Sequence, residues 1–67
     1  MFKVGEMIAG LDNGYLNANE NMKKAEVIYK RGYPAMMGIK ILEHTNKKCI
    51  GLEVEVEDRE LMFKLIE

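Results

Sequence analysis

From Cys49 the chain reads Cys-Ile-Gly-Leu-Glu-Val-Glu-Val-Glu, with apolar residues at 50, 52, 54 and 56. A period of two specifies a β-strand with one buried face. The flanking segments fit that face. A loop over Thr45–Lys48 sets Ile41 opposite Leu52, Ile39 opposite Val54 and Met37 opposite Val56. A second loop over Glu57–Glu60 sets Val56 opposite Leu61, Val54 opposite Phe63 and Leu52 opposite Leu65. The same registers align Lys40, Glu53 and Lys64 on the other face. A slip of one residue would break every one of these pairings. The sequence therefore predicts three strands, at about 36–43, 49–56 and 61–66. A helix over 59–66 is the alternative for the last, but its apolar residues would surround most of the helix and leave no polar side.

Upstream, the spacing lengthens. Val4, Met7, Ile8 and Leu11 fall at i, i+3, i+4 and i+7, which predicts a short helix over about 3–12, with an edge strand as the alternative. Ala18, Met22, Ala25 and Tyr29 line one side of a second predicted helix. Asn17 and Glu20 supply a capping-box start, and Lys30, Arg31, Gly32 and Pro34 supply its end. The expected fold is α+β: two N-terminal helices on one face of a three-stranded antiparallel meander, ααβββ, in one domain spanning 1–67. Its core would hold Met37, Ile39, Ile41, Leu52, Val54, Val56, Leu61, Phe63 and Leu65, covered by Met22, Ala25, Ile28 and Tyr29.

A 67-residue chain is marginal as a folding unit, burying about 60% of its unfolded surface. Such domains usually need a disulfide, a metal or a partner. One cysteine cannot make an internal disulfide, and one histidine with one cysteine does not make a zinc pattern. With 48% hydrophobic residues, a homo-oligomer is expected, a dimer first, or else another protein partner. The start of the chain lacks the apolar run of a signal peptide, and no run approaches the ~20 residues of a membrane span. A cytoplasmic setting is expected from the lone cysteine and six methionines. The net charge of −1 argues against a chain that is a polyelectrolyte binder throughout.

Several residue sets invite a chemical reading. The predicted register makes His44 and Cys49 cross-strand neighbours, but neither a third ligand nor a base-orienting group accompanies them. Asn17, Asn19 and Asn21 have the oxygen spacing of a calcium loop; Met22 and Ile28 occupy the positions where that loop needs glycine and glutamate. Glu53, Glu55 and Glu57 form a carboxylate row that Lys40 and Lys64 would neutralise. No cofactor, metal site or catalytic constellation is expected, and the protein is read as not an enzyme.

Two surfaces remain. Gly51 sits mid-strand, where glycine marks a bulge or a close approach. With Leu42, Met62 and Ile66 it makes an apolar patch on the face without helices, the expected protein-interaction site. Lys23, Lys24, Lys30 and Arg31 share the polar side of the second predicted helix and could follow a phosphate backbone. The function expected is a small protein-interaction module, of the kind that phage and mobile elements encode as inhibitors or adaptors. A nucleic-acid-binding regulator is the alternative.

Overall fold

The computed structural model describes residues 2–11, 19–32 and 35–66. Its regular elements are strands: β1 (Met7–Gly10), β2 (Met22–Arg31), β3 (Met36–His44), β4 (Glu53–Glu57) and β5 (Phe63–Ile66). A 3₁₀ turn over Lys47–Cys49 joins β3 to β4. They form one antiparallel sheet in the order β4-β3-β2-β1-β5. The α+β expectation is overturned. Both predicted helices are replaced by strands in the described residues, and the three strands expected as a meander belong to a five-stranded sheet in which the third does not pair with the second.

The β3–β4 hairpin has the register expected from its apolar pairs. Met37 faces Val56, Ile39 faces Val54 and Lys40 faces Glu53. The Ile41 N–H donates to the Leu52 carbonyl, continuing the ladder. The strand itself starts at Glu53, because residues 47–51 are taken up by the 3₁₀ turn and its exit. Gly51 belongs to that exit. Its φ of +91° lies in the left-handed region, which side chains with a Cβ rarely enter. The glycine thus serves a turn and does not open a space in the middle of a strand.

β2 is where helical spacing misleads. Its ladder with β3 shifts register between Met22 and Lys24, between Lys24 and Ala25, and again between Val27 and Tyr29. Bulges add residues to one strand and reset which side chains face inward. Met22, Ala25 and Val27 are all fully buried. The three-residue step from 22 to 25 therefore imitates a helix although the segment is extended. Val27, Ile28 and Tyr29 add β-branched and aromatic residues that suit a pleated surface. The proposed cap at Asn17 lies outside the described residues.

β1 also takes the extended form, Met7 facing Glu26 and Ile66, and Ile8 facing Ala25 and Leu65. β5 is a strand as expected, but its partner is β1: Lys64 faces Ala9 and Phe63 faces Gly10. The expected pairs of β5 with β4, including Glu53 with Lys64, are overturned.

This order forces the sheet to curl. β4 and β5 lie four strand spacings apart in the sheet, roughly 19 Å if it were flat. Their link over residues 58–62 reaches about 20 Å only if fully extended. It is not extended, because the Met62 N–H bonds back to the Arg59 carbonyl at 3.1 Å and the Arg59 N–H to the Glu57 carbonyl at 3.0 Å. The strands must wrap into a partly closed barrel.

Inside are Ile8, Met22, Ala25, Val27, Met37, Ile39, Ile41, Val56, Met62 and Phe63, joined by Phe2 and Cys49. Phe2 meets Phe63 edge to face, with ring centroids 6.0 Å apart. Val54 is only partly buried, and Leu52, Leu61 and Leu65, expected in the core, are exposed.

Candidate interaction surfaces

The charged residues divide between the two ends of the barrel. One end collects the paired cations. The Asp58 side chain is wholly buried where β4 gives way to the link. It accepts hydrogen bonds from the Phe2 N–H at 3.2 Å and from the Lys30 ammonium. Lys30 also donates to the Phe2 carbonyl at 2.6 Å. Burial pushes the Asp58 carboxyl up, but the bonds from Lys30 and Phe2 outweigh it and hold the group below its ordinary value. Three segments distant in sequence are thereby tied: the one before β1, the end of β2 and the exit of β4.

On the outer face nearby, Tyr29, Gly38 and Glu55 stand side by side on β2, β3 and β4. The phenol lies flat across Gly38, where an added Cβ would collide with the ring. The Tyr29 hydroxyl donates to Glu55 at 2.7 Å. That bond raises the Tyr29 pKa, with burial and the Glu55 charge adding to the effect. Arg31 pairs with the other Glu55 oxygen at 2.6 Å, and Arg59 pairs with Glu57 at 2.6 Å. The carboxylate row is thus anchored by Arg31, Arg59 and Tyr29, with Lys40 beside Glu53 in the register.

The other end holds lysines that, among the described residues, make no such pair. β2 begins there with Lys23 and Lys24, and β3 finishes there, His44 facing Met22. The Thr45 N–H donates to the Asn21 carbonyl at 3.0 Å, and Lys47 and Lys48 follow in the 3₁₀ turn. A groove of about 390 Å³ is lined by Ala9, Gly10, Leu11, Met22 and Ile66, with Glu20, Lys23 and Lys64 as its charged members.

The expected basic set is therefore split. Along a helix Lys23 and Lys30 would be about 10 Å apart; along an extended strand they are roughly 23 Å apart. Lys23 and Lys24 stay together, whereas Lys30 and Arg31 lie at the far end on Asp58 and Glu55. The apolar set is also dispersed. Met62 is buried in the core, Gly51 is exposed in its turn, Leu42 is half-buried on β3, and Ile66 lines the groove on β5.

His44 and Cys49 are not cross-strand neighbours. His44 ends β3 and accepts the Asn46 N–H at Nδ1 (2.9 Å), while Cys49 is buried at the end of the 3₁₀ turn. Among the described residues no group of three His, Cys, Asp or Glu side chains is placed to hold a metal ion. Of the calcium-like set, Asn17 lies outside the described residues, and Asn19 accepts the Asn21 N–H at 2.9 Å in a local turn.

Sequence reasoning missed the Lys30–Asp58–Phe2 network and the exposure of Leu61 and Leu65. The lone Asp at the end of an alternating Glu row is the one signal that pointed to the first.

No family model matches the chain, and no curated protein or solved structure matches it. Among the described residues no helix is long and apolar enough to cross a membrane.

Proposed function

We propose that the protein is a non-catalytic interaction module that joins a second copy of itself along the β5 edge, in a reducing cytoplasm. The observation that carries this reading is the state of the two sheet edges. Each edge strand presents unpaired backbone donors and acceptors, a template for another strand. β4 guards its edge with Glu53, Glu55 and Glu57. β5 carries one charge, Lys64, and beside it Leu65 is 51% exposed, with Leu61 79% exposed just ahead of the strand. Antiparallel pairing of β5 with its own copy about a two-fold axis would satisfy the β5 edge of each copy and cover both leucines. A short chain without a disulfide gains most from such a supplement.

Sedimentation equilibrium over a dilution series tests the reading. A dimer is expected at micromolar concentration, and Leu65→Asn should shift it to monomer with the circular dichroism spectrum unchanged. A monomer mass for the unaltered chain at every concentration would refute it.

A further inference from the structure

We propose that the lysine-bearing end of the barrel binds the phosphate backbone of a nucleic acid. The surface consists of Lys23 and Lys24 at the start of β2, Lys47 and Lys48 in the 3₁₀ turn, and Lys64 across the groove from Lys23. Among the described residues none of the five makes an ion pair, whereas Lys30, Arg31 and Arg59 at the opposite end each hold a carboxylate. Among the described residues the acids on this side are Glu20 at the groove and Glu43, the cross-strand neighbour of Lys24. Five described cations there face two described anions, so within a chain of net charge −1 this end is locally positive.

The layout indicates the kind of anion. A single bound phosphate needs donors that converge on one point. These lysines are instead spread over β5, β2 and the turn after β3, along this end of the sheet. A linear polyanion with evenly spaced charges fits such a spread, and lysine, a flexible point charge, meets phosphates without reading bases. Phe63, the described aromatic residue at this end of β5, is buried in the core and offers no face to a base, so binding through these lysines is backbone-driven and tolerant of sequence. The bulge at Lys23 supports the arrangement, since the register shift between Met22 and Lys24 leaves Lys23 exposed while Met22 stays in the core.

This surface shares only Lys64 with the β5 edge that carries Leu65, and the two proposals fail separately because Lys23, Lys24, Lys47 and Lys48 lie off that strand. The experiment is fluorescence anisotropy of a labelled single-stranded oligonucleotide and of its duplex, titrated with the full chain from low to physiological salt. Anionic phospholipid vesicles serve as a third arm.

For five neutralised phosphates the logarithm of the association constant should fall with that of salt with a slope near −3.5 for the single strand and −4.5 for the duplex. The double variant Lys23→Gln/Lys48→Gln should weaken single-strand binding about tenfold or more at low salt and make its slope shallower by about 1.4. Lys40→Gln, on the middle of the outer face, should change affinity less than about twofold. Leu65→Asn should bind as the parent does.

Absence of binding to either oligonucleotide at low salt would overturn the proposal. So would binding weakened as much by Lys40→Gln as by the double variant, or binding to vesicles alone.

Discussion

Replacing Asp58 by alanine should be among the most damaging single changes outside the apolar core. The carboxylate is wholly buried and accepts from both the Phe2 N–H and the Lys30 ammonium. Removal leaves the amide without its acceptor, which costs about 1–3 kcal/mol. It also leaves an ammonium without its counter-ion. Breaking a fully buried pair costs ~3–5 kcal/mol, but the Lys30 side chain is 26% exposed and can turn to water, so this part is discounted to about 1 kcal/mol. The total expected is about 2–4 kcal/mol, a large share of the roughly 3–10 kcal/mol that a chain of this length holds. With a urea m-value near 1 kcal/mol per M, the midpoint at pH 7 should drop by about 2–4 M.

The pH dependence follows from the sign of the shift. The folded carboxyl has a lowered pKa, so its contribution is fully present above the unfolded value, about 3.9, and is lost as pH falls through the folded value. The gap between parent and Asp58→Ala should therefore narrow below about pH 4. Urea titrations at several pH values, with Lys30→Met to complete a double-mutant cycle, measure both effects. A midpoint unchanged at pH 7, or a gap that does not close in acid, would refute the assignment of a stabilising ion pair.

Other outcomes follow from the same geometry. Gly38→Ala should destabilise by about 1–3 kcal/mol because its Cβ collides with the Tyr29 ring, and most of that cost should vanish in a Tyr29→Ala background, as denaturation of the four proteins would show. Gly51→Ala meets no neighbour within 4 Å, so its cost should be only the left-handed backbone, about 1–2 kcal/mol, and insensitive to surrounding substitutions. Ultraviolet titration of Tyr29, with Tyr15 and Tyr33 replaced by phenylalanine, should show a phenol above its ordinary pKa that comes down in Glu55→Gln. Ile39→Ala should lower stability by about 2–5 kcal/mol in calorimetry, since that side chain is fully buried in the central part of the sheet.

The hairpin of β3 and β4 is legible in the sequence because two local strands with matching alternation have only one register that buries both apolar faces. Around β5 the same alternation puts Leu61, Phe63 and Leu65 on one side, of which only Phe63 is buried, and it does not say which strand lies next to it. The partner, β1, is set by closure of the whole sheet, a non-local condition that leaves no local spacing pattern. β2 is hidden by its own bulges, and that one misreading spread to function. It gathered Lys23, Lys24, Lys30 and Arg31 onto a common side, whereas the extended strand sends the second pair to Asp58 and Glu55. Leu61 and Leu65 read as core residues when β5 is paired with β4, whereas it pairs with β1. The individual lysines of the positive pole are plain in the sequence; their grouping depends on which end of a ten-residue strand each occupies.

The pairing of β5 with β1, together with the Phe2 to Asp58 bond across 56 residues, has a kinetic consequence. The β2–β3–β4 meander can form from neighbours in the chain, but it cannot close a core until segments from opposite ends of the described sequence meet. Loop-closure entropy must be met before those contacts return anything, which places the folding rate toward the slow, β-rich end of the range for small domains. On a ribosome the chain would wait, with Ile39 and Val27 exposed, until residues 63–66 had cleared the tunnel. Folding would then switch on with the arrival of one short strand, and any truncation that removes those four residues should leave a chain that is synthesised but never folds.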